Sequence, residues 1–268
     1  MGPLYVNGIG VLAPGLEGWP ASHAVLTGQA PYSSAHTPEP GAKLLPPNER
    51  RRSSEVVRWA VQVAEEAVQQ AQADPRELAT VFASSGGETA IFDRICKTLA
   101  SSDRTISPTL FHHSVHNAAA GYWCIATGNQ LSSTSLACYD SSFAGGLLES
   151  ATYAVIERKP VLLVVYDLAP PPLLYPARPL TADFAVALVI GLVPREHSMA
   201  RLELGLRPST DDPVTRMDEL PLEALRIGNP SARSLPLLKA IAHRQAACVQ
   251  LDYLEDQCLL IEVTPWRC

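Results

Sequence analysis

Two spacings of apolar residues alternate along most of the chain. Between Val56 and Ala71, small apolar residues recur every three or four positions behind Ser53 and Ser54, both of which are good helix caps, so a helix is predicted there. The unbroken apolar run at 161–166 is typical of a buried strand. The same criteria predict further strands at 4–12, 78–83, 131–138, 185–192, 200–206, 247–251 and 258–263, and further helices at 89–99, 118–127, 143–156 and 235–246. Such alternation predicts an α/β fold.

The connections between these elements lead to three further expectations. The glycine-broken first strand should lie centrally in a sheet, and the strands at 185–192 and 200–206 should pair as a hairpin. The Pro- and Gly-rich stretch at 30–47 should be a long surface loop, and 208–230 is also loop-like because Asp and Pro recur in it.

Composition narrows the class of protein. The length of 268 residues suits one large domain or two tightly packed small ones, and we favour one compact domain. With 47% hydrophobic and 18% charged residues, a large buried core is expected. The net charge of −6 gives no reason to expect nucleic acid or an anionic membrane as a partner. Arg50, Arg51 and Arg52 form the only tight basic run, and we interpret it as a solvated turn before a helix rather than a docking site.

The cysteines predict a reducing compartment. None of the six is spaced as a CxxC pair or beside histidine as a zinc ligand, so reduced thiols, no structural metal and no cofactor are expected. No run of 18 apolar residues occurs, and a cytoplasmic location is predicted. The cysteines are Cys96, Cys124, Cys138, Cys248, Cys258 and Cys268.

Several motifs occur in an order that points to one family. Val-Asn-Gly-Ile-Gly-Val stands at 6–11 and Ala-Ser-Ser-Gly-Gly at 83–87, and a longer segment runs from Ile106-Ser107-Pro108 through Asn117 to Gly128. Together they resemble the β-ketoacyl-ACP synthases, condensing enzymes of the thiolase fold, over about residues 4–205. The resemblance implies a layered α-β-α-β-α fold in one domain over 1–268, with a complete N-terminal half and a reduced C-terminal half at 206–268.

In that family the nucleophilic cysteine lies on a sharp turn between a strand and a helix, where helix-terminal amides lower the thiol pKa. The matching turn here is Cys138-Tyr139-Asp140-Ser141-Ser142. An ungapped match from Gly128 onward places Asp140 at the nucleophile position and leaves Cys138 as a buried strand residue. A two-residue deletion would place Cys138 there instead. Asp140 is also a favoured residue at a helix start, whatever its position in the family pattern.

The family's two catalytic histidines are not recognisable. After the nucleophile turn the histidines are His197 and His243, and neither stands in the glycine-rich context that the family uses. The His-His-x-x-His run formed by His112, His113 and His116 could hold a metal, but we favour a surface or dimer-interface loop because no carboxylate or thiolate lies close by in sequence. No catalytic residue is therefore assigned.

A family member that has lost its nucleophile resembles a chain length factor, the inactive subunit that pairs with an active ketosynthase. The similarity is to the truncated aryl polyene type of chain length factor. The implied role is to shape the partner's acyl tunnel in polyketide, aryl polyene or fatty-acid-like elongation. Acyl carrier protein would then interact with this chain only indirectly, through the partner. The helix 88–99 would close that tunnel. The residues predicted at the tunnel or dimer interface are Thr89, Ala90, Ile91, Phe92, Ile95, Asn117 and Gly121.

Two other functions stay open at this point. The chain could be an active acyltransferase that uses Cys138, which would need a depressed thiol pKa and a nearby histidine. It could also be a stand-alone acyl-binding protein, which would be stable as a monomer.

Overall fold

A computed structural model describes residues 2–34, 39–209 and 213–266 of the chain, so Cys268 lies outside the described residues. The strands are β1 Leu4–Ala13, β2 Leu16–Glu17, β3 Ala79–Ala83, β4 Ser133–Leu136, β5 Val161–Asp167, β6 Phe184–Gly191, β7 Ala200–Pro208, β8 Ala247–Leu254 and β9 Gln257–Pro265. The helices are α1 Trp19–Leu26, α2 Pro47–Arg52, α3 Glu55–Gln70, α4 Thr89–Ala100, α5 Pro108–His113, α6 Ala118–Thr127, α7 Ser142–Glu157, α8 Leu220–Gly228 and α9 Leu235–His243. Short 3-10 turns occur at Pro75–Glu77, Tyr139–Ser141 and Ser231–Ser234.

The described strands form one sheet in the order β4-β3-β5-β6-β1-β7-β9-β8, with β2 paired to the end of β1. β3 runs parallel to β4 and β5, and the other pairs are antiparallel. The prediction that the first strand lies centrally is confirmed. Its glycines let α3 pack closely, since a Cβ on Gly8 or Gly10 would lie 2.1 Å from the carbonyl oxygen of Ala67 or Val63.

The predicted hairpin between 185–192 and 200–206 is wrong. β6 pairs with β1 and β5, and β7 pairs with β1 and β9, so β1 lies between them. All eight residues of β6 are buried, which requires neighbours along both edges and cover on both faces. The residues after β6 cross the end of β1, where the Met199 N–H donates to the Val6 carbonyl.

The loop predicted at 208–230 contains a helix, which is a second correction. α8 begins at Leu220 with Pro221 in its first turn, where the missing N–H of proline costs no hydrogen bond. Residues 210–212 of this stretch lie outside the described residues. Helices α1, α2 and α5 were not predicted from the sequence, and α2 and α5 have only six residues each.

Helices cover both faces of the sheet. On one face, α3 and α6 pack over the strands, as the small apolar residues of α3 predicted, and Ser54 caps α3 by accepting from the Val57 N–H. On the other face, α1, α7, α8 and α9 share one core with residues from all the long strands. α6 ends at Gly128, which is left-handed as predicted.

The sheet curls around α7. Helix α7 contacts both β5 and β8, although these two strands are five positions apart in the strand order. In a flat sheet, at about 4.8 Å per strand, β5 and β8 would lie about 24 Å from each other. The strands β7, β9 and β8 therefore fold over the far side of α7 and α9, as a second strand layer. Their outward face carries the partly exposed Arg201, Glu203 and Glu262, and no described helix covers it. The second half is thus reduced, as predicted.

Candidate functional site

The turn that follows β4 has the sharp strand-to-helix geometry that the sequence predicted. Tyr139 takes a left-handed conformation with φ of 50°, which is costly for a residue with a bulky side chain. The Ser142 hydroxyl stabilises the turn because its oxygen accepts from the Cys138 N–H at 3.1 Å and it donates to the Tyr139 carbonyl at 2.8 Å. Helix α7 begins directly behind this turn.

Asp140 is held by two arginines. Its carboxylate lies 2.6 Å from the Arg178 guanidinium and 3.2 Å from that of Arg233, and Arg233 also pairs with Asp252 at 3.0 Å. Arg178 in addition lies 3.8 Å above the centroid of the Tyr139 ring. The carboxylate thus joins the nucleophile turn to the loop before β6 and to the second half, rather than facing a substrate unpaired.

Cys138 is not the buried strand residue that the ungapped match implied. It lies beyond the end of β4 and is exposed, although its sulfur rests against Gly145, where a Cβ would lie only 2.7 Å away. This partial burial raises the pKa of the Cys138 thiol. In the described part of the chain no histidine is hydrogen-bonded to it, so the thiol lacks both features expected of an activated nucleophile.

The two histidines that follow the nucleophile turn have structural partners. The His197 ring nitrogen lies 2.9 Å from the Ala71 carbonyl oxygen, and that of His243 lies 3.0 Å from the Leu26 carbonyl oxygen. Each ring fastens its segment to a helix C-terminus. Neither contacts the turn at 138–142.

The fold gives the histidines of the His-His-x-x-His run different partners, although the rings of His112 and His113 stay 5.7 Å apart. His113 is buried and stacks on Tyr122 with ring centroids 5.4 Å apart, and burial lowers its pKa. The His116 ring instead lies 3.0 Å from the Leu136 carbonyl oxygen at the end of β4. Among the described residues no three His, Cys, Asp or Glu side chains are arranged to hold a metal ion.

Helix α4 carries most of the predicted tunnel residues, and these differ in how far they are exposed. Ile91 is only 8% exposed and packs within the chain, whereas Phe92 is 56% exposed. Thr89 and Ile95 are half-buried and Ala90 is exposed. Phe92, Ile95 and the 48% exposed Leu99 share a face at helical spacing, so α4 presents an apolar stripe that its own chain leaves uncovered.

The other two predicted interface residues lie on the exposed face of α6. Asn117 and Gly121 are followed by Ile125 at the same four-residue spacing, and all three are exposed. Together with Ser133 and Ser135 of β4, the first two line a polar cleft of about 380 Å³. In the described structure β4 pairs on one side only, so its other edge is open.

The start of α4 lies close to the end of β4, which leads into the turn at 138–142. A Cβ on Gly87, just before α4, would lie 2.9 Å from the His116 ring, which itself contacts the end of β4. A model of the β-ketoacyl synthase N-terminal domain matches residues 26–252. The chain belongs to the β-ketoacyl synthase family. A comparison with curated protein sequences found no match.

Solved structures of ketosynthases share the fold of this β-ketoacyl synthase family member. A structure of the ketosynthase ApeO in complex with its chain length factor ApeC from Xenorhabdus doucetiae matches with a TM-score of 0.72 and 24% identity, over 97% of this chain and 98% of that chain. The ishigamide ketosynthase/chain length factor gives 0.75 at 12% identity, over 99% and 100%. A type II polyketide acyl carrier protein complex with its ketosynthase, AntDE:AntF, gives 0.75 at 13%, over 99% of each chain. The predicted thiolase-like fold is confirmed.

Two buried carboxylates of this ketosynthase-like chain were not predicted from the sequence. Glu88 precedes α4 and accepts a hydrogen bond from the Ser54 hydroxyl, and burial raises its pKa to about 7. Asp167 ends β5 with 3% exposure, and burial raises its pKa as well, although bonds from Ser85, Ser231 and Ser84 oppose that rise. An acidic residue directly after an apolar strand was the available signal for Asp167.

In the described residues, no helix combines the length and apolar character needed to cross a membrane.

Proposed function

We propose that this chain is a non-catalytic, chain-length-factor-like subunit that pairs with an active β-ketoacyl-ACP synthase and limits the length of the chain which that enzyme builds. The observation that carries the proposal is the uncovered apolar stripe of α4. Of the twelve residues in this helix, only Ile91 and Asp93 are buried. An amphipathic helix with its apolar stripe in water is expected to be covered by a partner.

The pairing surface extends from α4 to the open edge of β4. The carbonyls of Ser132 and Leu136 accept hydrogen bonds from β3, so by the two-residue repeat of a strand Ser133 and Ser135 direct their backbone groups outward. Such an edge pairs readily with a strand of another chain. Exposed apolar residues also occur on α4, on α5, in the connection between α5 and α6, on α6 and in the turn, namely Phe92, Leu99, Phe111, Val115, Ile125 and Tyr139.

The absence of catalysis by this chain is inferred from the nucleophile turn. The Cys138 thiol has a raised pKa, and Asp140 is paired with Arg178 and Arg233. A carboxylate in that position also cannot accept an acyl group as a thioester. The condensation is therefore assigned to the cysteine of the partner, and acyl carrier protein delivers substrate to that partner rather than to this chain.

The chain-length limit is attributed to Phe92 and Ile95. They lie on the face of α4 that the partner would cover, whereas the buried Ile91 supports the helix from within the chain. In a closely packed interface, a larger side chain leaves less room for the growing acyl chain. Asn117 and Gly121 are assigned to the pairing surface.

The names of the similar structures, which include chain length factors and a type II polyketide acyl carrier protein complex, support a polyketide context for this role. The aryl polyene pathway is proposed from the sequence resemblance. We also propose that residues 1–268 act as one ketosynthase-like domain. A cytoplasmic location is proposed because the five described cysteines are free thiols, as is usual in a reducing compartment.

Co-expression with a full-length ketosynthase tests the proposal. We expect a stable one-to-one complex by size-exclusion chromatography with mass determination, which elongates malonyl-carrier substrate. Within it, Phe92→Trp should shorten the product and Phe92→Ala should lengthen it. A stable monomer that does not bind any such ketosynthase would contradict the proposal.

A further inference from the structure

Helix α4 is weakly held along its length. Only Ile91 and Asp93 are buried, and the helix packs mainly against the short α5. Packing alone therefore does little to define its direction. The direction of α4 therefore depends on the turn from which the helix starts, residues 84–88, in which Ser84 and Glu88 are buried.

Asp167 binds that turn through one carboxylate oxygen. Its Oδ1 accepts from the Ser84 hydroxyl at 3.1 Å, from the Ser85 N–H at 2.8 Å and hydroxyl at 2.7 Å, and from the Gly86 N–H at 3.3 Å. Ser84 in turn accepts from the Gly87 N–H at 2.8 Å. Every residue from Ser84 to Gly87 is thus tied, directly or through one hydroxyl, to a single buried carboxylate.

The rest of Asp167 is bound to the second half of the chain. Its Oδ2 accepts from the Ser231 hydroxyl at 2.8 Å, and its carbonyl oxygen accepts from the Asn229 side-chain amide at 2.8 Å. Ser231 and Asn229 are fully buried. Ser231 begins the 3-10 turn that also carries Arg233, the partner of Asp140. One continuous network therefore joins the start of α4 to the former nucleophile turn.

We propose that Asp167 is a positioning residue that fixes the direction of α4 and, through it, the place of Phe92 at the partner's tunnel. The effect on product length rests on the proposed function, whereas the effect on α4 does not. A carboxylate suits this position because it accepts several hydrogen bonds at once while contacting two halves of the molecule.

Four variants separate positioning from simple stability. Asp167→Ala removes all the side-chain bonds. Asp167→Asn can keep its oxygen toward the turn and turn its amide toward the Ser231 hydroxyl, so it should rescue. Ser231→Ala is the milder variant should Asp167→Ala fail to fold. Ser150→Ala is the matched control, because Ser150 is an equally buried serine whose hydroxyl bonds only to Gly146 within α7.

Hydrogen exchange in the full chain is the first measurement. In Asp167→Ala the amides of 89–100 should exchange about tenfold faster, as for a segment that has lost its anchor. Ser231→Ala should show a smaller increase, and Asp167→Asn should stay near the wild-type rate. Ser150→Ala should leave the exchange of 89–100 unchanged. Unchanged exchange in both Asp167→Ala and Ser231→Ala, or an equal increase in Ser150→Ala, would overturn the proposal.

Product length in the complex with the ketosynthase is the second measurement. Asp167→Ala should broaden the distribution of chain lengths, and Asp167→Asn should restore it. If Phe92→Trp shifts the product and Asp167→Ala does not, the positioning role is wrong while the proposed function stands. If neither changes the product, the proposed function fails, and the exchange rates alone decide whether Asp167 holds α4.

Discussion

Asp140 and Arg178 form an ion pair with 2.6 Å between carboxylate and guanidinium, at the turn 138–142 that we predict to match the nucleophile turn of the β-ketoacyl synthase family. Arg233 approaches the same carboxylate from the second half, and both arginine side chains are largely buried, with 18% and 21% exposure. The turn is therefore a structural junction between the two halves of the chain.

Removal of the Asp140 carboxylate should lower stability without affecting elongation. Asp140→Ala leaves two largely buried arginines short of a partner, but the aspartate is itself 40% exposed, so we expect a loss of about 1 kcal/mol in the free energy of unfolding. Differential scanning calorimetry should show a melting temperature lower by about 2–4 °C. As the control, Glu203→Ala breaks a surface ion pair with Arg201 and should lower the melting temperature less than Asp140→Ala does. A faster or slower elongation rate in the Asp140→Ala complex would mean that the carboxylate takes part in the chemistry.

Asp140→Cys tests whether a thiol at the nucleophile position would be sufficient for catalysis. We expect no elongation by the variant alone, because no described histidine is hydrogen-bonded within the turn to stabilise the oxyanion or the enolate. His116, which lies beside the turn, is engaged by the Leu136 carbonyl oxygen, and His197 and His243 have partners elsewhere. Turnover by the isolated Asp140→Cys chain in a radiolabelled malonyl assay would show that the remaining machinery is intact.

A charge on the α4 stripe should prevent pairing. Phe92→Asp places a carboxylate where we expect a desolvated contact, so co-purification with the ketosynthase should be lost or weakened at least about tenfold. The isolated chain should fold normally because Phe92 is 56% exposed. Val193→Asp, at a position 72% exposed in the connection after β6, is the matched control and should leave the complex intact. Equal binding by both variants would exclude α4 from the interface.

The open edge of β4 gives a second test of the pairing surface. Ser135→Pro removes an outward N–H while the bonds to β3 from neighbouring residues remain. We expect weaker binding of the ketosynthase by surface plasmon resonance and an unchanged circular dichroism spectrum of the isolated chain. Unchanged binding would mean that the β4 edge does not pair with the partner.

Glu88 should make stability fall as the pH rises. Its pKa is about 7 in the folded chain against an ordinary value of 4.5, so folding favours the protonated form, and this contribution is lost progressively between about pH 4.5 and pH 7. Glu88→Gln keeps an acceptor for the Ser54 hydroxyl but carries no charge. The variant should therefore match the wild type at pH 4 and exceed it by about 1–3 kcal/mol at pH 8 in urea unfolding. A difference that does not change with pH would show that the pKa of Glu88 is the same in the folded and the unfolded chain.

Much of the fold could be predicted because it rests on local patterns. The run at Val161–Asp167 and the spacing along Glu55–Gln70 are signals within one segment, and both elements formed as expected. The wrong hairpin shows the limit of such signals. Strands β6 and β7 are neighbours in sequence, but β1, which is nearly two hundred residues away, lies between them.

In the candidate site, too, the features that rest on local motifs were predicted and the contacts between distant segments were not. The sharp turn at 138–142 and the helix at 89–100 were expected from family-like motifs. The partners of Asp140 were not, since Arg178 and Arg233 lie in segments without any periodic pattern. Likewise, Asp167 meets Ser85 across 82 residues of sequence, and only the folded chain brings the two together.

The most direct test of the account is elongation by the purified complex in which one cysteine at a time is removed. We predict that Cys138→Ala leaves the rate of malonyl-carrier elongation unchanged, and that replacing the nucleophilic cysteine of the ketosynthase abolishes it. Elongation that is lost in Cys138→Ala, or that survives removal of the partner's cysteine, would contradict the conclusion that this chain is a non-catalytic subunit.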